Sequence, residues 1–303
     1  MALPTVLFNP HAGGQRRRLV DVLERMVAEG RIRRVTTEST DQGRRAAAEA
    51  WRNGAPLVVA AGGDGTINAV VGGLLEAASD RPGRPRLGLL PCGRGNDLAR
   101  ALGIGLRGEA ALKMALAGRN TVELDVGMAE VNGRAVHFVN ALEAGFDGAV
   151  AREAGRIRLG GFGAYLWAVM KVLRSGEGPW RLEGVLDGRG IDSTLTLFTA
   201  GNGPTTGGGF RLVPDADPTD GRLDYCLGEQ ASLGAILAIL PRVLVGRHGG
   251  HSRISLGSFE SFSGVFSPPA PIHADGEVLT DAARRLRIWV QPGALTVIVP
   301  AAR

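Results

Sequence analysis

The nine residues from 60 to 68, AAGGDGTIN, constrain the fold of this chain more than any other stretch of its sequence. They follow a short apolar run at 57–59 that is typical of a buried strand. After them, apolar residues recur at helical spacing between Ile67 and Leu75. The glycines are therefore predicted to lie at a turn that leads from a strand into a helix.

The chemistry of this turn favours a phosphate site. Glycines let backbone N–H groups approach an anion closely, and the start of a helix adds partial positive charge. Asp64 is the one charge in the turn, Thr66 is predicted to cap the helix, and Asn68 offers an amide. The turn lacks the lysine of a P-loop, and its spacing is not that of the dinucleotide motif GxGxxG. A tight turn with a cap would explain one or two of these residues, but not all of them.

Strand-like and helix-like segments alternate regularly from residue 5 to about residue 118. This alternation is typical of a mostly parallel sheet that is covered by helices. Loops at the carboxyl ends of such strands bind ligands. The loops expected at that edge are NPHAGG at 9–14, the turn at 60–68 and PCGRGND at 91–97.

The sequence pattern changes after residue 122. Short strand-like runs are separated there by turn signals such as Asn132-Gly133, and helices are predicted at 165–173 and 233–245. The second helix is strongly apolar but is interrupted by Pro241, and we expect a buried core helix rather than a lipid-facing one. Two final strands are predicted at 286–291 and 294–300.

Composition limits the possible partners and the compartment. The 303 residues suffice for two domains, and the net charge of +5 favours anionic partners such as nucleotides or an acidic membrane surface. An aromatic content of 5% argues against nucleic-acid binding. Cys92 and Cys226 have neither metal-site nor disulfide spacing, and we find no signal peptide and no apolar run of about 20 residues. We expect a cytoplasmic protein, at most peripheral to membranes.

Three arginines, Arg16, Arg17 and Arg18, come at the start of the first predicted helix. Cations are unfavourable at a helix N-terminus because of the helix dipole. They therefore indicate an anionic partner, although solvation is the simpler explanation for any one of them. An anionic bilayer is one such partner, and the 233–245 helix is a second segment that would contact it.

The three loops, taken together in order, resemble the diacylglycerol kinase catalytic domain family, and more narrowly its bacterial soluble lipid kinases. A lone GGDGT would also fit NAD kinases, so the ordered set carries the resemblance. Further matches follow along the chain at Phe146-Asp147, Gly201-Asn202-Gly203, Gly207-Gly208-Gly209, Pro214-Asp215-Ala216, Asp220-Gly221 and Asp275-Gly276-Glu277.

The resemblance implies an N-terminal three-layer α/β domain with a mostly parallel sheet at 1–121 and a C-terminal β-sandwich domain at 122–291. Whether the segment near 292–303 returns to the first domain is left open. The resemblance also implies an active site in the cleft between the domains, with ATP as a substrate and Mg²⁺ as the cofactor. The reaction it implies is transfer of the γ-phosphate to a lipid hydroxyl such as that of diacylglycerol. The acceptor would be a lipid at an anionic membrane surface, and a homodimer is compatible with the sequence.

The resemblance also assigns the nucleotide site. The residues that it places against ATP are Asn9, Pro10, Gly13, Thr37 (or Thr36 in its place), Gly62, Gly63, Asp64, Gly65, Thr66 and Asn68.

One departure from the family lies in this site, because Arg94 stands where the family usually has threonine. Arginine is a large bidentate cation. It would pair with the ATP phosphates, with a lipid phosphate, or turn to solvent; we favour the first, because Gly93 and Gly95 give it room.

Carboxylates in the second half carry the remaining assignments. The resemblance makes Asp275 the catalytic base and places Glu277 against ATP and its magnesium. In an extended segment, residues two apart point to the same side, so both carboxylates are expected to converge. Asp220 resembles a structural magnesium ligand, with Asp217 and Arg222 supplying backbone carbonyls, although an Asx turn is the plainer alternative. Asp97 and Asp125 are candidates for the surrounding charge network.

Two rival functions remain open at this level. An NAD kinase relative would share the GGDGT turn, but Asn96-Asp97 and Asp275-Gly276-Glu277 argue against it. A non-catalytic lipid or nucleotide sensor is suggested only by Arg94.

Overall fold

The computed structural model describes residues 2–12, 16–93, 95–105, 107–155, 162–206 and 209–301. The chain forms two compact units, one of Met1–Asp125 with Pro292–Arg303 and the other of Val126–Gln291. The sequence places the boundary at 121/122. Strand β5 (Asn120–Val131) runs through both positions, so no turn marks the division.

In the first unit, strands and helices alternate. The elements before β5 are β1 (Thr5–Phe8), α1 (Arg16–Ala28), β2 (Arg33–Thr36), α2 (Thr40–Arg52), β3 (Val58–Gly62), α3 (Asp64–Glu76), β4 (Arg86–Pro91), α4 (Asp97–Ala101) and α5 (Gly108–Ala117).

The first unit's strands pair in parallel. Strand β1 pairs with β2 and β3, and β3 pairs with β4. Residues Thr296 and Val297, which return from the end of the chain, pair in parallel with β4. The carboxyl ends of these strands therefore meet at one edge of the sheet.

Helices cover this sheet on both faces. Alternate residues of β1 and β3, including Val6 and Val59, form one core with Leu23 of α1 and Leu112 of α5. The intervening strand residues, such as Leu7, are fully buried as well. Helices α2 and α3 pack against each other and against β3.

The second unit is built mainly from antiparallel strands. Its elements after β5 are β6 (Arg134–Phe138), β7 (Ala141–Gly145), α6 (Phe146–Gly155), α7 (Phe162–Ser175), β8 (Trp180–Leu186), β9 (Arg189–Gly201), β10 (Leu223–Glu229), α8 (Leu233–Leu244), β11 (Ile254–Phe259), β12 (Ser261–Ala274) and β13 (Glu277–Val299). The sheet runs β11-β10-β9-β7-β12-β13, and β8 pairs with β9 and β12.

Phenylalanines dominate the core of this second unit. Phe138, Phe198, Phe259 and Phe266 are among its largest fully buried side chains. Asn132 and Gly133 both have positive φ in the β5–β6 hairpin, which confirms the turn that the sequence indicates there.

The two predicted final strands are one continuous strand, β13, so the expected break at Pro292-Gly293 is wrong. Gly293 has a φ of +53° and donates its N–H to Asp125 Oδ1 at 2.7 Å. The Asp125 side chain thus holds the irregular backbone at Gly293, and the strand continues through it.

Helix α8 is not the buried core helix that we expect from its apolar sequence. Leu237 is 38% exposed, Leu244 36% and Val245, just after the helix, 59%. Only its other side packs on the protein, where Val243 contacts Phe210 and Leu212. An apolar composition predicts an apolar surface, but not which partner covers it. Within the described part of the chain, no helix is both long and apolar enough to cross a membrane.

Candidate functional site

The carboxyl edge of the parallel strands brings together most of the predicted nucleotide-site residues. Asn9 follows β1 and donates its N–H to Ala61 O at 3.0 Å, and Thr37 follows β2 and donates its N–H to Phe8 O at 2.9 Å. Cys92 follows β4 and donates its N–H to Gly62 O at 2.8 Å. Thr37 is 3% exposed, whereas Thr36 is exposed. Gly13 and Arg94 lie outside the described residues.

Asn9 links the first loop to helix α3. Its Nδ2 donates to Thr66 Oγ1 at 3.1 Å, and its Oδ1 accepts from the His11 N–H at 2.8 Å. The prediction that Thr66 caps α3 is wrong, because the N-cap is Gly63 and Thr66 lies three residues further along. Among the residues that the structure describes, no side chain forms a cap hydrogen bond at the start of α3. Its first N–H groups are therefore not satisfied by a cap.

Asp64 faces a neighbouring loop. Its two carboxylate oxygens accept the N–H groups of Asn96 and Asp97, both at 2.8 Å. Asn96 has a φ of +54° and closes its own loop by two side-chain hydrogen bonds to Gly93, both at 2.9 Å. Asp64 thus joins the α3 turn to the loop at 91–97.

The glycines of these loops have two different surroundings. A Cβ at Gly93 would lie 2.6 Å from Gly63 Cα, and one at Gly95 would lie 2.6 Å from Asp64 Oδ2. Gly93 is required because its backbone packs on the backbone of Gly63, and Gly95 is required because the fixed Asp64 carboxylate lies beside it. Gly65, in contrast, is exposed and would place a Cβ in open space. Beside Gly65, at the uncapped start of α3, an anion would have room to approach.

Asp275 does not lie in an extended segment, so that part of the sequence interpretation is wrong. Asp275 and Gly276 have φ values of +48° and +85° and form the two-residue turn between β12 and β13. The Asp275 carboxylate accepts three N–H groups, from Val139, Asn140 and Ala141, at 2.7, 2.9 and 3.1 Å. The carboxylate is therefore fixed in one orientation.

Glu277 is exposed at the first position of β13, where it pairs with Ala274. The two sides of the turn differ in burial, because Ile272 is fully buried whereas Val278 is 45% exposed. Convergence of the Asp275 and Glu277 carboxylates therefore does not follow from strand periodicity, because the turn interrupts it.

Asn202, for which the sequence predicts no role, holds the segment that binds Asp275. Its Nδ2 donates to Val139 O at 3.0 Å, and its own N–H donates to Asn140 O at 2.7 Å. Asn202 is fully buried. The signal for it was an asparagine between two glycines, which indicates a turn but not which backbone the amide would hold.

The predicted metal-site residues precede β10. Asp220 Oδ1 accepts the Arg222 N–H at 2.9 Å, and Asp217 Oδ1 accepts the Thr219 N–H at 3.0 Å. Asp220 thus forms an Asx turn, the plainer alternative. Among the described residues, no group of three or more His, Cys, Asp or Glu side chains is arranged to hold a metal ion.

Negative charge nevertheless accumulates around this turn. Burial and then the charges of Asp220 and Asp215 raise the pKa of Asp224 to about 6. Carboxylate and carbonyl oxygens are the ligands that Mg²⁺ prefers. The donor chemistry and the excess of negative charge therefore fit a hard cation.

Glu143, Asp147 and His273 form a buried polar cluster that the sequence did not predict. His273 lies two residues before Asp275 in the chain. His273 Nε2 lies 2.7 Å from Glu143 Oε2, and both residues are at most 7% exposed. Burial, followed by the charge of Glu143, raises the pKa of Asp147 to about 7. Burial opposes the charged form of His273, but the Glu143 carboxylate raises its pKa overall. Glu143 and His273 lie in apolar strand sequences, which give no signal of this pairing.

Asp147→Asn is expected to remove a pH dependence of folding stability. The carboxyl has a pKa of about 7 in the folded state against an ordinary value of 3.8, so folding favours its protonated form. Its contribution is complete below pH 3.8 and is lost as the pH rises to about 7. The loss should be on the order of a few kcal/mol.

Urea unfolding at pH 5 and pH 8 measures this effect. The variant should gain stability relative to the native protein on going from pH 5 to pH 8. The exposed Asp281→Asn provides the control and should show no such gain. If the difference in unfolding free energy between Asp147→Asn and the native protein is the same at pH 5 and at pH 8, the raised pKa of Asp147 is contradicted.

Comparison with known proteins gives a consistent result. The model for "Diacylglycerol kinase catalytic domain" matches residues 4–129, and that for "YegS C-terminal NAD kinase beta sandwich-like domain" matches residues 140–299. A probable lipid kinase YegS-like from Chromohalobacter salexigens is 34% identical over 88% of this chain and 83% of its own.

Two further relatives have the same kind of name. Diacylglycerol kinases of Bacillus subtilis and Mycobacterium tuberculosis are each 31% identical, over 80% and 84% of this chain and 79% and 80% of their own. A crystal structure of a diacylglycerol kinase from Bacillus anthracis covers 99% of this chain and 97% of its own with a TM-score of 0.71. At 20% identity, that likeness shows the fold alone.

Proposed function

The chain belongs to the diacylglycerol kinase catalytic domain family, a family of kinases, and we propose that it transfers the γ-phosphate of ATP to the hydroxyl group of a lipid such as diacylglycerol. The observation that carries this proposal is the uncapped start of α3 beside the exposed Gly65. N–H groups at a helix start bind phosphate oxygens. The loop residues around it, from Asn9 and Thr37 to Asn68, form the proposed ATP site.

Asp275 is the proposed general base. Three N–H groups hold its carboxylate, two at Oδ1 and one at Oδ2. Oδ2 is the oxygen that we propose accepts the proton of the lipid hydroxyl. The hydroxyl oxygen would then form a bond to the γ-phosphorus, while the bond from that phosphorus to the β-phosphate oxygen breaks and ADP leaves. Because Asp275 is already held in one orientation, less entropy is lost when it is aligned with the lipid hydroxyl.

The proposed magnesium ligands are the Asp220 carboxylate and the backbone carbonyls of Asp217 and Arg222, and Glu277 is proposed to face the nucleotide. A bound magnesium ion would supply positive charge to offset carboxylate and phosphate charge. The crowding that raises the pKa of Asp224 supports a cation at the Asp220 turn.

Phosphoryl transfer can be measured with γ-labelled ATP, magnesium and a panel of lipid alcohols in mixed micelles, with NAD as a separate acceptor. We expect label on a lipid and not on NAD. Asp275→Asn should lower the rate at least about 100-fold, because the base is lost. The exposed Asp192→Asn is the matched control and should retain the rate, and circular dichroism checks that both variants fold.

Label on NAD alone would overturn the lipid kinase in favour of the NAD kinase rival. Nucleotide binding without transfer to any acceptor would favour a sensor. An Asp275→Asn variant with the native rate would remove Asp275 from the proposed mechanism.

Gly65→Ala tests the phosphate site directly. The added Cβ meets no protein atom within 4 Å, so stability should be unchanged or should rise by up to about 1 kcal/mol through helix propensity. Nucleotide affinity, measured by calorimetry, should fall at least about tenfold, because the methyl group occupies the anion's approach.

Gly234→Ala is the control for this change. Gly234 is likewise the second residue of a helix, α8, and likewise has no atom within 4 Å of an added Cβ. Its substitution should leave nucleotide affinity unchanged. An equal affinity for native protein and Gly65→Ala would remove the start of α3 from the nucleotide site.

We also propose that the protein contacts an anionic membrane surface through Arg16, Arg17, Arg18 and helix α8. The exposed apolar side chains Leu237, Leu244 and Val245 support the second contact. Replacing the three N-terminal arginines by glutamate should abolish sedimentation with vesicles that contain anionic lipid, because the charge attraction is reversed.

A second triple variant separates a local contact from net charge. Arg284, Arg285 and Arg287 are exposed on β13, and their replacement by glutamate makes the same change in net charge. This control should still sediment with the vesicles. Equal loss in both variants, or no loss in either, would contradict a contact at the N-terminal arginines.

A further inference from the structure

The Glu143–His273 ion pair lies beside the turn that carries the proposed base. Glu143 of β7 pairs in register with His273 of β12, and their side-chain atoms Oε2 and Nε2 are 2.7 Å apart. Two residues further along β12, Asp275 donates its N–H to Ala141 O at 2.9 Å, two residues before Glu143. Residues two apart in a strand lie on the same face of the sheet. The ion pair and the Asp275 turn are therefore successive steps of one ladder.

The segment that the ion pair fixes is also the segment that holds the Asp275 carboxylate. Asn140 and Ala141 donate their N–H groups to Asp275 Oδ1, and Ala141 is the first residue of β7. A contact that holds Glu143 on β12 therefore also holds the start of β7 beside the turn. The ion pair is thus placed to keep the N–H groups aligned with the carboxylate.

The surroundings of the pair are nearly closed to solvent. Glu143 is 3% exposed and His273 is 7% exposed. Helix α6 packs directly on β12 at this point, since a Cβ added at Gly148 would lie 2.5 Å from Pro271 O. Charges interact more strongly in such surroundings than in water. A positive charge on His273 therefore acts on every carboxylate that faces it.

Three carboxylates face His273, one from each element around it. They are Glu143 of β7, Asp147 of α6 and Asp275 of the turn between β12 and β13, and all three favour the charged imidazole. Other charged residues of these elements are paired elsewhere, exposed or distant: Arg152 pairs with Glu177, Glu153 pairs with Lys171, Glu277 is exposed, and Arg181 and Glu183 of β8 lie opposite Ser267 and Val265.

The protons of this cluster are distributed unequally. Burial opposes a charge on His273, but the carboxylates, Glu143 foremost, raise the pKa of His273 overall. Burial and then the charge of Glu143 raise the pKa of Asp147 to about 7, so that carboxyl is mostly protonated below neutral pH. In slightly acidic solution His273 is therefore charged, and Glu143 carries the negative charge of the pair.

We propose that Glu143 and His273 are positioning residues for the base Asp275: Glu143 holds His273 in its charged form, and this charge keeps the Asp275 carboxylate ionised on its N–H groups. The inference rests on the proposed lipid kinase function. A general base must be ionised before it accepts a proton, and a positive charge nearby favours the ionised form. Both residues act through Asp275 and not on the substrate.

The charge of His273 can be measured without nucleotide or lipid. NMR of the ring nitrogens, in protein labelled at its five histidines, separates charged from neutral imidazole. Native His273 should be charged at about pH 6, and Glu143→Gln should lower the pH at the midpoint of its titration by at least about one pH unit. The exposed Glu183→Gln is the control and should leave the midpoint unchanged. A neutral His273 at that pH in the native protein would overturn the proposal.

Asp275→Asn tests the link between His273 and the base. This substitution removes a carboxylate that favours the charged imidazole, so the midpoint of the His273 titration should fall by at least about 0.5 pH unit. Asp281→Asn, which is exposed on β13, is the control and should not move the midpoint. An unchanged midpoint in folded Asp275→Asn would overturn the proposal, whether or not the protein is a kinase.

His273→Gln separates positioning from a purely structural role through the pH dependence of kcat. At about pH 6, where the native side chain is charged, the variant should lose at least about threefold in kcat with unchanged KM for ATP and lipid. At about pH 9 native His273 is neutral as well, so the two rates should converge. His137→Gln on β6 is the control and should match the native kcat at both pH values. Loss by the same factor at both pH values in His273→Gln would overturn the positioning role.

Failure of the kinase proposal would give a different result. No transfer by the native protein, with both titration shifts as expected, would overturn the kinase and support the link from Glu143 through His273 to Asp275. Native kcat in folded His273→Gln at about pH 6 would keep the kinase and overturn the positioning role. If this variant does not fold, because Glu143 is left buried without its partner, the His273 titration in Asp275→Asn decides the proposal.

Discussion

Hydrogen bonds from backbone N–H groups to two carboxylates, Asp64 and Asp275, hold the loops of both units. Asp64 accepts from Asn96 and Asp97, and Asp275 accepts from three consecutive residues that begin at Val139. In each case one side chain at a turn fixes a segment that is distant in sequence. Charge-assisted bonds of this kind are stronger than neutral ones, so they can fix irregular backbone that no ladder of a sheet holds.

This arrangement changes how acidic residues in motifs should be interpreted. An aspartate beside a proposed phosphate site suggests a metal or proton-transfer role, yet both oxygens of Asp64 already accept hydrogen bonds from the neighbouring loop. Asp275 has the same double character, since a group that organises the turn is also the proposed base. Structure and chemistry are thus combined in single residues, which allows little freedom for substitution at either position.

Local patterns in the sequence were sufficient for most of the secondary structure and for the loops at the sheet edge. Buried runs such as that of β3 and the turn at Asn132-Gly133 depend on neighbours a few residues away, and these were predicted. The Thr66 cap, the extended conformation at Asp275 and the break at Pro292-Gly293 were wrong, because each depends on backbone geometry that several residue types permit. Which side of α8 is buried, and the pairing of Glu143 with His273, depend on contacts between segments that are distant in sequence. The spacing of apolar residues along the chain does not predict such contacts.

Because the last strand of the chain returns to the first unit, a single continuous stretch of the gene does not encode that unit alone. Thr296 and Val297 pair with β4, although the whole other unit, Val126–Gln291, lies between them and Asp125 in the chain. A gene fragment that stops at Asp125 would encode β4 as an open edge, and open edges invite association with other chains. The first unit is therefore not a portable segment. Shuffling it between proteins would require either both ends of the gene together or a permuted order that joins them.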